Sequence, residues 1–350
     1  MTKELYKFKK DELIQKCKEL NILNYISKNK KELIELIKIT EENKEIENKN
    51  INYIKPIIKW VGGKTQILDK IINKFPKIIN NYHELFLGGG SVLIGLLQNI
   101  KENKIKVNGT INAYDINETL INLYKNIQSK SNEIILEIDK IIKIYSNINT
   151  NIINRKAQTV KEALTSQESY YYYIRNIYNK LSQSDKNKPL GSAYLIFLNK
   201  TCFRGLYREG PNGFNVPFGN YNNPEIINIE HIKLLSVLMK DVNFYHSDFE
   251  TSFEKINEND FVYLDPPYYS DNKKSFVNYI SNGFSLEKHN ILFTKCKKFN
   301  FLMSNADIDI VKNHFLDKKY LTEIILCKRS INSKNPSSKV NEVLIKSLSN

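Results

Sequence analysis

The chain has 350 residues and a formal charge of +14, enough length for one large α/β domain plus a smaller one, and a charge that reflects either a polyanionic partner or lysine-rich coding usage. Nucleic acid is the first such partner and an anionic membrane surface the second. The four cysteines (Cys17, Cys202, Cys296 and Cys327) are scattered without ligand spacing, and no apolar run approaches the ~20 residues that cross a bilayer, which argues against a disulfide scaffold, a metal site and a membrane span, and for a soluble intracellular protein of cytoplasm, nucleus or viral factory.

Two short amphipathic helices are expected first, over Lys10 to Leu20 and Lys30 to Ile39, around a turn through Asn24 to Asn29. Leu13, Cys17 and Leu20 recur at helical spacing, as do Leu33, Leu36 and Ile37. With Ile22 in the turn and Lys30-Lys31-Glu32-Leu33 opening the second helix, the pair resembles the SAP module, a small DNA-binding helical hairpin. The alternative is an interaction or capping hairpin with a solvated charged face. Glu41 to Lys49 is charged and Asn-rich, which predicts a linker over 41–55 and a domain boundary near residue 50.

Ile58-Lys59-Trp60-Val61-Gly62-Gly63-Lys64 follows, with the one tryptophan of the chain. Its paired glycines allow a turn that closes against a ligand, and Lys64 brings a cation to an anionic group there. Glu84-Leu85-Phe86-Leu87-Gly88-Gly89-Gly90-Ser91 then reads as a strand end, a glycine turn and the start of a helix over Val92 to Ile100, which lets a nucleoside or phosphate approach the backbone. A second strand, Thr110 to Asp115, ends in an acid placed to accept from ribose hydroxyls. The pair suits a dinucleotide or S-adenosylmethionine, and its contiguous glycines depart from the dinucleotide pattern G-x-G-x-x-G.

From Asn117 to about Lys188 the chain reads as helical, with Tyr170 to Tyr173 divided between core and surface of one helix. Lys200 to Gly219 interleaves basic and aromatic residues with turn formers, and Pro211-Asn212-Gly213 signals a hairpin tip. A projecting hairpin carrying Phe203, Arg204 and Arg208 suits a DNA groove; an ordinary surface loop is the alternative.

The stretch that organises the chemistry is Phe261-Val262-Tyr263-Leu264-Asp265-Pro266-Pro267-Tyr268, an apolar strand that stops at a carboxylate, two prolines and a ring. The prolines hold the local carbonyls at fixed angles. Such an array suits an exocyclic amino group, whose two hydrogens the Asp265 carboxylate and Pro266 carbonyl accept while its ring stacks on Tyr268. Ser285 is expected to cap a helix running to Lys298, Phe299 to Asn305 to form the next strand, and Leu321 to Cys327 with Asn341 to Leu348 a closing antiparallel pair. The loop between these last strands carries Arg329 and Lys334 as phosphate contacts.

From Ile57 onward the order of motifs resembles the Dam family of DNA adenine-N6 methyltransferases. The segments that carry it are IKWVGGK, ELFLGGGSV, AYDIN, GLYREGPNGFNVPFGNY, YLDPPYY, NGFSLEKH and FLMSNAD. The resemblance implies a Rossmann-like doubly wound mixed α/β sheet of class I methyltransferases, with a mainly helical target-recognition insert over about 120–245. It also implies S-adenosyl-L-methionine held by Trp60, Lys64, Phe86, Gly88, Gly90, Asp115 and Asp265, and a flipped adenine held by Asp265, Pro266 and Tyr268, with no metal. Double-stranded DNA would be met by Lys59, Phe203, Arg204, Arg208, Asn215, Pro217, Arg329 and Lys334, at a short palindrome such as GATC, and a cognate restriction endonuclease is a possible partner. Relatives that modify GATC commonly carry Asn where Arg204 stands and Arg where Asn220 stands, which sets GATC in question. A methyltransferase acting on RNA or a protein amide, and a catalytically silent DNA-binding subunit, are the alternatives from other classes.

Overall fold

Short β-branched and aromatic runs build a seven-stranded sheet in the computed structural model, which describes residues 5–20, 22, 25–48, 52–269, 284–328 and 339–348. Its strands are β1 (Tyr82–Glu84), β2 (Ile111–Asp115), β3 (Val242–His246), β4 (Phe261–Leu264), β5 (Asn300–Ala306), β6 (Tyr320–Lys328) and β7 (Lys339–Ser347), in the spatial order β6-β7-β5-β4-β1-β2-β3. The first five pair in parallel, with Tyr82 opposite both Ile111 and Phe261, Ile111 opposite Val242, and Phe261 opposite Asn300. The succession 3-2-1-4-5 is the doubly wound order, whose switch point falls between β1 and β4. β6 and β7 are adjacent and joined by residues 329–338, too few for a parallel crossover, so they close the sheet as an antiparallel pair.

All four residues of β4 are buried, as expected of a parallel strand covered on both faces. The longer helices are α1 (Lys10–Glu19), α2 (Lys30–Asn48), α3 (Ser91–Lys101), α4 (Glu118–Ser146), α5 (Gln167–Lys180), α6 (Pro189–Thr201), α7 (Ile229–Leu238) and α8 (Leu286–Cys296). α3 begins directly after the glycine turn and buries Leu93, Ile94 and Leu96. Asn117 caps α4 by accepting from the Leu120 N–H at 2.9 Å, so the helix starts three residues beyond the acid that ends β2. α6 packs against α4 and α5, and the tyrosine run divides as expected, with Tyr170 and Tyr171 buried and the next two half-buried.

The chain forms two compact units, residues 1–52 with 323–342 and residues 53–322 with 343–350. In the first, α1 and α2 enclose Leu13, Cys17, Leu33, Ile34 and Ile37. Asn29 and Glu32 form a reciprocal cap at the start of α2, the Glu32 N–H donating to Asn29 Oδ1 at 3.0 Å and the Asn29 N–H to Glu32 Oε2 at 2.7 Å.

Three expectations differ from the structure, and one lies outside it. α2 continues to Asn48, where a linker was expected, because Glu and Lys are strong helix formers even without an apolar stripe. Val242–His246, assigned to the insert, is a sheet strand too short to announce itself by period. The single domain expected over 56–350 gives up 323–342 to the first unit. Arg329 and Lys334 lie outside the described residues.

Candidate active site

Three carboxylates leave adjacent strands at the C-terminal edge of the sheet. Glu84 ends β1 opposite Ala113 and Tyr263, so Asp115 and Asp265 lie two residues farther along its two neighbours, on either side. Burial pushes the Glu84 carboxyl up to about 8; the Tyr82 hydroxyl, donating at 2.7 Å, opposes that rise, and the charges of Asp265 and Asp115 add to it. Glu84 is a site residue that sequence reasoning missed, although it opens the quoted glycine-turn motif.

Lys64 supplies the cation of this edge. Its side chain is only 5% exposed and its ammonium lies 2.7 Å from Asp265 Oδ2. The same ammonium donates to the Gly62 carbonyl at 2.7 Å and lies 5.0 Å from the centroid of the Tyr268 ring. The Lys64 backbone N–H donates to Ser91 Oγ at 3.1 Å, which ties this turn to the first residue of α3. Lys64, Asp265 and Tyr268 thus come together, with Pro266 buried between the last two.

The glycine turn is shaped by what lies against it. Gly88 and Gly90 have φ of +49° and +70°. A Cβ on Gly88 would lie 3.1 Å from the Trp60 ring, and one on Gly90 would lie 2.9 Å from Tyr124 Oη, so both positions need glycine for conformation and for space. Asp115 is held at both oxygens, by the Gly88 N–H at 2.9 Å and the Asn117 N–H at 2.8 Å. Burial pushes its pKa up while these backbone donors pull it down. Phe86 stacks on Phe249, with ring centroids 5.8 Å apart. Phe249 follows Ser247 and Asp248 just beyond β3, and the Ser247 N–H donates to the Asp115 carbonyl at 3.1 Å. Sequence reasoning missed this Ser-Asp-Phe corner because it missed β3.

The six expected DNA-contact residues that are described gather around a hairpin. Glu209–Gly210 and Gly213–Phe214 pair antiparallel across Pro211-Asn212. Lower down, the Phe203 N–H donates to the Pro217 carbonyl at 2.8 Å, and Arg208 Nε donates to Asn215 Oδ1 at 2.6 Å. Lys59, Phe203, Arg208, Asn215 and Pro217 are exposed while Tyr207, Phe214 and Val216 are buried, so the hairpin has one outward set. Arg204 is half-buried in a left-handed conformation, φ +59°, its guanidinium 5.3 Å from the Phe203 ring centroid.

Asn199, fully buried on α6, joins this hairpin to the segment that carries Trp60 and Lys64. Its Oδ1 accepts from the Lys59 N–H at 2.9 Å, and its Nδ2 donates to the carbonyls of Lys59 at 2.9 Å and Gly205 at 3.0 Å. The Trp60 ring also stacks on Tyr207, centroids 4.8 Å apart. Nothing in the sequence marked Asn199, because its three partners are backbone groups.

A doubly wound sheet with acids at its switch point and an aromatic-proline corner beside them defines a class I methyltransferase fold. Residues 60–329 match the family model of the D12 class N6 adenine-specific DNA methyltransferases, and the chain belongs to that family. Among similar proteins, the type II methyltransferase M.MjaIII of Methanocaldococcus jannaschii is 34% identical over 307 residues, covering 83% of this chain and 98% of that protein. The type II methyltransferase M.CviBI of Paramecium bursaria Chlorella virus NC1A is 30% identical over 269 residues, 74% of this chain and 85% of its own. A DNA adenine methylase of Haemophilus influenzae is 28% identical over 300 residues, covering 82% and 90%. The protein is a site-specific DNA adenine-N6 methyltransferase.

Two outcomes follow from this geometry. A carboxyl whose folded pKa is raised from 4.5 to about 8 contributes stability that is complete below the lower value and is lost as pH climbs to the upper one. Thermal melts of wild type and Glu84→Gln from pH 5 to 8 should therefore show the wild type losing a few kcal/mol more than the variant across that range; parallel curves would refute a protonated Glu84. Asn199→Ala strands two carbonyls and an N–H, so the denaturant midpoint should fall by the equivalent of about 2–4 kcal/mol and KM for DNA should rise. An unchanged midpoint and KM would remove Asn199 from any positioning role.

Proposed function

We propose that the methyl donor is S-adenosylmethionine, lying along the strand ends against Trp60, Lys64, Phe86, Gly88, Gly90, Asp115 and Asp265, and that the acceptor is N6 of an adenine turned out of the duplex. The donor set fits such a ligand. Asp115, fixed by two backbone N–H groups, keeps lone pairs for sugar hydroxyls; Lys64 and the neighbouring acids suit an amino-acid moiety of both charges; the open turn at Gly88 lets a nucleoside approach. When bound, this cofactor supplies a methyl group on a sulfonium sulfur.

The observation that carries the reading is the Lys64–Asp265 ion pair beside Tyr268 at the end of β4. Lys64 fixes the orientation of the Asp265 carboxylate. Asp265 and the Pro266 carbonyl accept the two N6 hydrogens, which localises the nitrogen lone pair and aims it for attack, and Tyr268 stacks on the base. Because N6 is paired inside a duplex, the base must leave the stack, and exposed Phe203 is placed to fill the gap. Arg208, with Asn215 bracing its guanidinium, reads a base edge, guanine being the usual partner. The target is a short palindrome containing adenine, with GATC the leading single candidate. The relatives named as type II methyltransferases support a restriction endonuclease as companion, and a DNA substrate supports an intracellular setting. The α1–α2 hairpin, outside the family match, adds DNA affinity through its lysines.

Asp265→Ala should cut single-turnover methyl transfer at least about a hundredfold while leaving a folded protein that binds duplex DNA. Retention of more than a few per cent of the rate sinks the assignment. Arg208→Ala should cost about 1–3 kcal/mol of discrimination at one base pair, visible as relaxed preference there in methylation profiling. Uniform slowing at every site would make Arg208 a backbone contact instead.

A further inference from the structure

Behind the hairpin lies a hollow of about 720 Å3 that the catalytic reading leaves unused. Its walls come from the loop at Arg155 and Lys156, from α5 at Arg175 and Lys180, from Lys186, and from the hairpin tip Pro211 to Gly213; no Asp or Glu is among the residues lining it. Arg155 is neutralised by Glu168, Nε to Oε1 2.6 Å. Arg175 is committed to the fold, donating to the Val216 carbonyl at 3.0 Å with its guanidinium 4.6 Å from the Tyr172 ring centroid. Lys156, Lys180 and Lys186 have no ion-pair partner among the described residues, Lys186 lying 5.1 Å from the Tyr178 ring centroid, so three cations share one concavity lined by no acid. Like charges gathered in one hollow repel one another, and an anion bound there relieves that repulsion.

The hollow is fixed rigidly to the reading hairpin. Asn179, on its floor, donates to the Phe214 carbonyl and accepts from the Phe214 N–H, both at 2.9 Å. A Cβ at Gly213 would lie 2.7 Å from Asn179 Oδ1, so that contact also closes the turn. The hollow therefore adjoins the tip of the hairpin and the free edge of its Gly213–Phe214 strand, close in sequence to Arg208 and Asn215.

We propose that this hollow binds the sugar-phosphate backbone of the same DNA, at phosphates flanking the recognition site, through Lys156, Lys180 and Lys186. The ligand chemistry is a run of phosphodiesters. A duplex is favoured over free phosphate because a wall of the site is the hairpin that reads the target. The proposal rests on that reading of the hairpin, whose own failure would appear separately, as unchanged sequence preference in Arg208→Ala.

The test compares the triple variant Lys156→Gln, Lys180→Gln, Lys186→Gln with a control of equal charge change, Lys140→Gln, Lys143→Gln, Lys240→Gln. Binding to a duplex of about 30 base pairs bearing the site is measured against salt, alongside single-turnover methyl transfer at saturating DNA. The cleft variant should lose about 0.9 in the slope of log K against log salt for each contact removed, two to three units in all, with affinity falling on the order of tenfold per contact at ~0.1 M salt. Its saturated methyl-transfer rate should stay that of wild type, and the control slope should change by less than one unit. Equal slopes for wild type and cleft variant overturn the proposal, as does an equal fall in the control. A melting-temperature rise with inorganic phosphate that the cleft variant loses, combined with an unchanged DNA slope, overturns it in favour of a small-anion site.

Discussion

Carboxylates on three adjacent strand ends repel one another, and the edge that holds Glu84, Asp115 and Asp265 depends on how that repulsion is relieved. Each acid is handled differently. Asp265 takes the Lys64 ammonium, Asp115 takes two backbone N–H groups, and Glu84, squeezed between them, is pushed toward its neutral form. The arrangement leaves Asp265 as an oriented carboxylate at the mouth of the crevice. Removing either member of a buried ion pair costs about 3–5 kcal/mol through the charge left behind, so Lys64 is structural and functional at once.

The Lys64 segment is also where the proposed cofactor and DNA functions meet. Lys59, five residues earlier, is held by Asn199, and Asn199 holds Gly205 in the recognition hairpin. Between them Trp60 lies against the glycine turn and against Tyr207. Packed rings and a fully satisfied amide thus link the hairpin to the segment that carries Lys64. Such contiguity gives a physical route by which target binding can adjust the catalytic edge.

Positions 204 and 220, which the family resemblance singled out, share a backbone property. Both are left-handed, with φ of +59° at Arg204 and +50° at Asn220. Asn tolerates that region better than Arg, whose presence at 204 costs about 1 kcal/mol or more of local strain. Strain retained at the base of the proposed reading hairpin fits a side chain kept for what it contacts rather than for how the loop folds.

The sequence by itself determined the sheet edge: an apolar run ending in Asp265 and its prolines, a glycine turn after a strand, and an acid ending the next strand are local signals. The hairpin was likewise legible, because turn residues and alternating aromatic and basic side chains act within twenty residues of chain. Tertiary structure alone decided which cation serves Asp265, that Glu84 is neutralised, that Asn199 clamps two distant backbones, and that Lys156, Lys180 and Lys186 share one hollow. Those facts join residues from 6 to 201 positions apart. Their partners are carbonyls, amides and charges that no residue pattern encodes, so only the packing of the sheet and its helices brings them together.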